Sequence, residues 1–473
     1  NEDEVRLGYG GSESINSPGR YPQAAKDLFK DIGIRLEKFH QNYDKELYAS
    51  YGLGKAIVFD KETFGEEKTV LGYGKRPWEE FAREMPMSEK AQKSFIRAHT
   101  EKVDYLPGKT LEEKNEILGK IDYETYLREY VKVEEEVINL YTRWSLSYLG
   151  VGIDDIPTNT VHYIDADMPG VAHTLQHKPS SGEITDIFHF PDGNSSVARL
   201  LVRKLIPEAV PGSTMEDVVT TRTDYSKLDQ PNSNINIRLN STVVHVINTK
   251  DEKAVDITYV LNDDPHTIRA KKCIMACYNS AVPYLCPEMS VEQKEGLAFN
   301  VKTPLVITKI LVSNWEAFAE LKTEYFYYTS GFYKQLELDY PVSIGEYSRS
   351  QTPDEPMVLH MLHVPWMPQT EGPDQWRDGR YQIIQTPYEE YEDHAKHQLT
   401  QALGKNGFDV ERDIKAITVN RWSHGYSYYP GFIWDPERTD EDKKPWVIGR
   451  QPFGNIHIAN SDSGVSASVR SAI

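Results

Sequence analysis

Residues 455–464, NIHIANSDSG, decide how the fold is interpreted. Alternating apolar residues predict a strand over 455–460, and the turn after it predicts the start of a final helix over 466–473. At such a junction backbone N–H groups can bind an anion or a ring edge, and the carboxylate of Asp462 can accept a hydrogen bond from a ligand hydroxyl. The same residues are equally consistent with a carboxylate that only caps a helix.

A β-rich region upstream has the pattern of a small antiparallel meander. Its last strand continues into residues 273–277, CIMAC, which are predicted to be a buried strand and the turn after it. Before the meander, a turn over 190–194 leads into an amphipathic helix over 195–205. Alternating and β-branched residues, separated by polar turns, predict strands over 235–239, 242–247, 254–260 and 267–275.

Helical spacing dominates the first third of the chain, and the best helices are predicted over 111–118 and 123–141. A turn-rich stretch follows, up to residue 186. Between 304 and 429, strands alternate with one long helix, which is predicted over 388–403. Strands and helices mixed in this way predict an α/β fold.

Composition limits the classes of function. The 473 residues are 39% hydrophobic and 26% charged, with a mean hydropathy of −0.58, which is typical of a globular protein of more than one domain. No apolar run approaches the roughly 18 residues of a membrane-spanning helix. The net charge of −19 makes nucleic acid an unfavourable partner and is compatible with a cationic substrate or with simple solubility.

Classical catalytic and metal-binding patterns are missing from the sequence. The three cysteines, Cys273, Cys277 and Cys286, lack the paired short spacings and the further ligands of a metal site, so no metal is predicted. Neither a Ser-His-Asp constellation nor a His-Glu metal motif is found. A Gly-x-Gly-x-x-Gly fingerprint for a dinucleotide is also absent, and the glycine-rich residues 8–11 lack a preceding strand.

Several strings, in this order, resemble the spermidine dehydrogenase family, and together they span almost the whole chain. No single string is a catalytic signature, so the resemblance rests on their number and order. The strings are 104–108 (DYLPG), 189–194 (HFPDGN) with 198–203 (ARLLVR), 276–278 (ACY), 283–287 (PYLCP), 418–426 (TVNRWSHGY) and 458–462 (IANSD).

The resemblance implies an FAD-dependent amine dehydrogenase or oxidase, which oxidises a C–N bond by hydride transfer to flavin N5. It implies a discontinuous Rossmann-like FAD-binding domain and a mixed-sheet substrate domain with a helical insertion. The first βαβ unit of the FAD domain is not in the sequence, so we expect either a longer chain or a second polypeptide that supplies it. The FAD domain would comprise 1–21, 187–300 and 441–473, and the substrate domain 22–186 and 301–440.

The resemblance also assigns cofactor-binding residues. Gly10, Gly11 and Ser12 would pass beside the isoalloxazine, Val243 and Val244 would lie against the adenine, and Ala276, Cys277 and Tyr278 would end a strand near the pyrophosphate. Asp462 and Ser463 would bind the flavin or its ribityl chain. Ordinary structural roles compete with each assignment: turn glycines, core valines and a helix-capping carboxylate.

A polyamine such as spermidine is the substrate that the resemblance favours, since carboxylates and aromatic rings can hold its ammonium groups. Glu346, on a strand-like segment, is the first candidate for contacting an amine. Trp422, His424 and Tyr428 belong to an aromatic-rich region that can line the substrate site or simply pack. Lys302 is the candidate for holding a water near flavin N5, with Lys309 as the alternative.

Haem is a second cofactor associated with this family. Covalent attachment is excluded because no Cys-x-x-Cys-His is present, and His162, His173, His177 and His189 are the unassigned candidates for a b-type ligand. A periplasmic location is implied by resemblance alone, and the electron acceptor is not predicted. Two other hypotheses remain: a flavoenzyme of this fold acting on another amine or amino acid, and a flavin-free structural subunit of a larger complex.

Overall fold

Four β-sheets organise residues 5–161, 168–176, 187–435 and 440–473, which are those that the computed structural model describes. One is a mixed seven-stranded sheet, and the other three have two or three strands. The strands are β1 Ser14–Asn16, β2 Gly54–Phe59, β3 Lys68–Tyr73, β4 Ile187–His189, β5 Ser241–Asn248, β6 Val255–Leu261, β7 Asp264–Ala270, β8 Cys273–Met275, β9 Thr303–Val312, β10 Thr323–Tyr328, β11 Gln335–Leu338, β12 Met357–His363, β13 Ile414–Tyr426 and β14 Ile456–Ile458.

The seven-stranded sheet has the order β13-β9-β12-β11-β10-β2-β3, and only β10 and β2 pair in parallel. Its central strands β9 and β12 are buried on both faces, which explains their nearly continuous apolar sequences. One hydrophobic core, which includes Tyr126 and Trp376, covers one face. A second core, which includes Tyr391 and Leu399 of the long helix Tyr388–Leu403, covers the other.

The smaller sheets are built from the segments that flank this sheet in sequence. Strands β8 and β14 pair in parallel, with Cys273 opposite Ile456, and β5, β6 and β7 form an antiparallel meander. Beside them, helices Val291–Phe299 and Pro445–Gly449 meet at two glycines: a Cβ on Gly296 would lie 2.6 Å from the carbonyl oxygen of Pro445. Only glycine permits an approach this close.

Side-chain caps fix the start of several helices in the described residues. The predicted helix over 111–118 is confirmed, and a reciprocal capping box between Thr110 and Glu113 fixes its start. The α-helices are Gln23–Asp31, Leu36–Asn42, Leu47–Ser50, Lys61–Phe64, Trp78–Glu84, Glu89–Thr100, Leu111–Leu118, Tyr123–Thr125, Glu135–Tyr141, Leu146–Leu149, Ser195–Leu205, Val282–Leu285, Val291–Phe299, Glu316–Leu321, Asp374–Gln385, Tyr388–Leu403, Val410–Asp413, Pro445–Gly449 and Val469–Ala472.

Two predicted helices are wrong in extent. The helix predicted over 123–141 is interrupted by a π-helical turn, Tyr126–Val131, and by Lys132, which has a φ of 55°. At this break Arg97 donates hydrogen bonds to the carbonyls of Val131 and Lys132. The final helix predicted over 466–473 is reduced to Val469–Ala472. Serine hydroxyls bond to one another and to nearby carbonyls in that segment, and this competes with helical pairing.

The β-rich region also differs from its prediction. Residues 235–239 form no strand, and the single strand predicted over 267–275 is two strands, β7 and β8. Pairing in β7 begins at Asp264, because Asn262 and Asp263 adopt positive φ angles and close a two-residue hairpin turn. Strand β8 is only partly buried: Met275 lies in a hydrophobic core, whereas Ile274 is 67% exposed, since β14 is the single neighbour of β8 in the described residues.

The α/β fold class is confirmed. All strands of the seven-stranded sheet come from the ranges assigned to the substrate domain, and those of the smaller sheets come from the ranges assigned to the FAD domain. The division into two domains remains a prediction. Among the described residues, no helix combines the length and the apolar character that crossing a membrane requires.

Candidate active site

A buried lysine–carboxylate pair lies where four strand ends meet. Asp462 follows β14, and its carboxylate accepts hydrogen bonds from Lys302 Nζ (2.6 Å), Ser427 Oγ (3.0 Å) and the backbone N–H of Asn279 (3.0 Å). Lys302 immediately precedes β9, Ser427 immediately follows β13, and Asn279 lies after β8. These residues, with Tyr278 and His424, are called the Asp462 site below.

The position of the Asp462 site follows from the strand directions. Because β8 and β14 are parallel, their carboxyl ends meet at one edge, which is where ligands bind in open α/β sheets. The beginning of β9 and the end of β13 bring the large sheet to the same place, because these strands pair antiparallel. The site therefore joins the two strand systems.

Side-chain amides hold the turn that carries Asp462. Asn300 Nδ2 donates to the carbonyl of Asp462 (2.8 Å), and Asn460 Nδ2 donates to the carbonyl of Cys277 (2.6 Å). The backbone N–H of Ser463 donates to Asn460 Oδ1 (2.8 Å). Asp462 is thus fixed by the network around it and does not cap a helix, contrary to the helical junction predicted from the sequence.

Two stacked rings close one side of the Asp462 site. Tyr278 and His424 are 5.1 Å apart at an interplanar angle of 14°, and Lys302 Nζ lies 5.0 Å from the centroid of the Tyr278 ring. Burial, followed by the nearby charges of Arg380 and Lys302, lowers the pKa of His424 from 6.5. His424 is therefore a neutral imidazole at pH 7 and can accept a hydrogen bond or a proton.

The Gly10–Gly11 loop packs against β13 next to this site. Trp422 Nε1 donates to the carbonyl of Gly10 (2.5 Å). A Cβ on Gly11 would lie 2.8 Å from the Trp422 ring, and one on Gly10 would lie 2.6 Å from Asn420 Oδ1. Ser12 is held by Asn194, whose backbone N–H donates to its carbonyl (2.9 Å). Both glycines are required by close approach.

The other residues predicted from sequence lie apart from the Lys302–Asp462 pair or make different contacts. Val243 and Val244 are both exposed on β5, so the alternative of core valines is wrong. Ala276 and Cys277 are exposed after β8. Tyr428 is buried among aromatic rings, including Trp376, and its hydroxyl donates to Asp435.

Glu346 does not lie on a strand. It is exposed on a tight turn closed by pairing between Ile344 and Tyr347, where Gly345 has a φ of 59°. The prediction of a strand-like segment is wrong, because the backbone N–H and C=O groups here pair only across this short turn and not with a neighbouring strand among the described residues.

The two haem candidates in the described residues, His173 and His189, have different surroundings. His173 is exposed, while His189 is buried between the rings of Tyr9 and Tyr340. His162 and His177 lie outside the described residues. The structure gives the haem prediction no support.

Sequence reasoning missed several residues that complete these sites. Asn279, Asn300 and Ser427 carry no sequence pattern that marks them, because their roles depend on strand ends far apart in the chain. It also missed a second group of charges around Lys309, in which Glu13, Glu337 and Asp339 interact with the lysine.

Comparison with known proteins finds a likeness in structure alone. No family model and no curated protein matches the chain. A redesigned double mutant of putrescine oxidase is 12% identical, with 98% of this chain and 85% of that chain covered and a TM-score of 0.54. Wild-type putrescine oxidase bound to putrescine gives the same identity and coverage with a TM-score of 0.53. Cyclohexylamine oxidase from Brevibacterium oxydans IH-35A is 13% identical, with 100% and 88% covered and a TM-score of 0.50. The chain has the α/β fold that these amine oxidases share.

Proposed function

We propose that this protein binds FAD and oxidises a C–N bond of an amine. The observation that carries the proposal is the Asp462 site, a fixed lysine–carboxylate pair at the carboxyl ends of β8 and β14, next to the large sheet. The amine-oxidase fold supports it, since the solved structures named above are amine oxidases.

The residues around this site fit a dinucleotide cofactor. Asn279 Nδ2 and Asn300 Oδ1 are buried without a hydrogen-bonding partner among the described residues, so polar groups are left over beside Asp462. Ala276 and Cys277 are small and exposed, which permits close approach of a ligand. We assign cofactor binding to Gly10, Gly11, Ser12, Val243, Val244, Ala276, Cys277, Tyr278, Asp462 and Ser463.

Each side chain near the pair has a role in this proposal. When bound, FAD supplies the two-electron oxidation, and the protein supplies orientation and electrostatics. Asp462 and Ser427 take two N–H groups of Lys302, and the third is left to orient a water or the cofactor. His424 is neutral and accepts the proton that an ammonium substrate loses before oxidation. The side chains of Trp422 and Tyr278 are partly exposed, so their rings can contact an amine.

A polyamine such as spermidine is our proposed substrate, and a simpler amine is the alternative. Putrescine oxidase and cyclohexylamine oxidase share the fold, so the fold is compatible with both classes. The net charge of −19 favours the more highly charged cation. We retain periplasmic location and an unidentified electron acceptor as parts of this proposal.

A second polypeptide is a further part of the proposal, because several large apolar side chains of β5, β8 and the segment after β8 are exposed. Ile274 on β8 and Tyr284 in the segment after it are 67% and 85% exposed, and Val243 and Val244 are exposed on β5. Parallel sheets are normally covered on both faces. A dinucleotide-binding unit packed here would cover these residues.

Spectroscopy of the purified native protein tests the proposal. We expect a flavin absorption spectrum that is bleached anaerobically by spermidine or putrescine. Bleaching by cyclohexylamine and not by either polyamine would select the alternative substrate class. A folded native protein without flavin would contradict the proposal and favour the structural-subunit hypothesis.

A further inference from the structure

The hydroxyl of Ser427 connects the buried ion pair of the Asp462 site to a less buried hydroxyl. Ser427 Oγ is 3.1 Å from Lys302 Nζ and 3.0 Å from Asp462 Oδ1. It is also 2.9 Å from the Oγ of Ser461. Lys302, Ser427 and Asp462 are buried, whereas Ser461 is partly exposed. These contacts form a continuous polar chain from a buried ammonium to a partly exposed hydroxyl.

The Ser427 hydroxyl has two possible hydrogen-bond arrangements. A serine hydroxyl has one proton and two lone pairs, so it donates to only one oxygen at a time. When Ser427 donates to Asp462, it closes the network around the carboxylate. When it donates to Ser461, the donors follow one another from the N–H of Lys302 to the O–H of Ser427 and on to the O–H of Ser461. A chain of donors with one direction is a route along which a proton can pass.

The other contacts of Asp462 provide no second route. The carboxylate accepts the backbone N–H of Asn279, and the carbonyl of Asp462 accepts Asn300 Nδ2. An amide N–H donates a hydrogen bond but does not release its proton at neutral pH. Within the part of the chain that the structure describes, Ser427 is the single hydroxyl bonded to both members of the ion pair. A proton that leaves Lys302 on this side must therefore pass through Ser427.

The proposed amine oxidation needs a group that gives up and regains a proton. Oxidation of the C–N bond leaves a positively charged C=N bond. Addition of water to its carbon forms a C–O bond and releases one proton, and departure of the amine as an ammonium ion takes one proton back. Lys302 has one N–H left to orient that water. Once Lys302 has passed a proton to solvent, its amine accepts the proton that the water releases.

We propose that Ser427 and Ser461 form a proton route between Lys302 and the solvent, in which Ser427 is a positioning residue that acts through Lys302. One N–H bond of Lys302 breaks, and its electron pair stays on Nζ. Ser427 Oγ takes that proton and passes its own to Ser461 Oγ, which passes its own to water. Asp462 stays a carboxylate and holds Lys302 in both states. The use of the route for water addition rests on the proposed function, whereas the route itself does not.

Removal of the Ser427 hydroxyl tests the use of the route in the holoprotein. Water adds only after the C–N bond has been oxidised, so the two stages are separable. For Ser427→Ala with putrescine we expect kcat to fall about 100-fold, and the rate of anaerobic flavin bleaching to stay within about threefold. Ser427→Thr keeps the hydroxyl and should recover kcat to within about fivefold of the parent. A purely structural role of Ser427 would slow both stages together.

Proton exchange at Lys302 Nζ tests the route without turnover. It is measured by NMR on protein labelled with ¹⁵N-lysine, in which the Lys302 signal is assigned by its loss in Lys302→Arg. We expect Ser427→Ala to slow exchange with solvent at least about 10-fold. Ser313→Ala is the matched control, because Ser313 follows β9 at its other end and donates to the buried Asp413 (3.2 Å). It should change neither the exchange nor the two rates.

Unchanged exchange in Ser427→Ala would overturn the route, and equal losses of flavin bleaching and turnover would overturn its use for water addition. Slower exchange without oxidation of any amine would retain the route and reject the proposed function. Oxidation of putrescine at the full rate, with unchanged exchange in Ser427→Ala, would do the opposite. Ser461→Ala removes the partly exposed end of the route and is measured in the same way if Ser427→Ala does not fold.

Discussion

The Asp462 site and the group of Glu13, Lys309, Glu337 and Asp339, called the acid cluster, both pair a buried lysine with an aspartate, and they differ in how completely the charges are balanced. Lys302 and Asp462 are 2.6 Å apart, and Ser427 and Asn279 satisfy the same carboxylate. Lys309 and Asp339 are 3.4 Å apart, with two further acids nearby. A balanced network fixes geometry, whereas an unbalanced one changes its charge with pH.

The largest expected effect compares the same substitution in the two regions. Asp462→Asn leaves Lys302 buried without its counter-charge, and we expect the free energy of unfolding to fall by about 3–5 kcal/mol. Asp339→Asn leaves Lys309 with Glu13 and Glu337 nearby to compensate its charge, so we expect a smaller loss, of about 1.5–3 kcal/mol, as for a lost hydrogen bond to a charged group. Urea denaturation of both variants measures the difference. Equal losses would mean that the two pairs are energetically alike.

The second effect is a pH dependence specific to the acid cluster. The folded-state pKa of Glu337 is raised from 4.5 to about 8, so the folded protein binds more protons between these values and loses stability as pH rises through them. At about 1.4 kcal/mol per unit, the loss is at most on the order of 4 kcal/mol between pH 5 and 8. Denaturation at several pH values should show a flatter profile for Glu337→Gln, with a substitution of the exposed Glu346, Glu346→Gln, as the control. If Glu337→Gln leaves the pH dependence of the free energy of unfolding unchanged, Glu337 is not the group that causes it.

A smaller effect concerns the loop that touches both regions. Gly11→Ala would place a Cβ 2.8 Å from the Trp422 ring, and we expect a destabilisation of about 1–3 kcal/mol from overpacking. In a Trp422→Ala background the same Gly11→Ala substitution should cost less, because the ring with which its Cβ clashes is absent. Thermal denaturation of the four proteins measures the coupling. Strict additivity would show that the loop adapts at this position.

The smallest effect is a displaced titration in the Asp462 site. Because burial lowers the pKa of His424 from 6.5, the rate should fall on acidification only below that value. The pH dependence of kcat/KM measures this limb, and His424→Asn should remove it. A limb that persists in the variant would belong to another group.

From the sequence, Asp462 and Lys302 could each be identified as site residues, but their ion pair could not be predicted. Asp462 was marked by a strand followed by a turn, and Lys302 by the resemblance. Their pairing depends on two sheets that meet at one edge, and no local pattern encodes this. The final helix was overestimated because helical spacing does not register the competing serine hydroxyls.

Glu337 was not identified from the sequence. In β11, Leu336 and Leu338 alternate with Gln335 and Glu337, which is the pattern of a strand with one solvent-facing side. In the folded protein the polar side is largely covered as well, and whether a second face is covered is a property of tertiary structure that alternation does not encode.

The parallel pairing of β8 with β14 has a consequence for the order of folding. Residues 273–275 can join 456–458 only after the long segment between them has been synthesised, and the ion pair of Lys302 spans 160 positions. Contacts this distant in sequence form slowly, because a long loop must close first. During synthesis Lys302 therefore remains without its counter-charge until residue 462 has been added, so the Asp462 site forms later than the local hairpins around it.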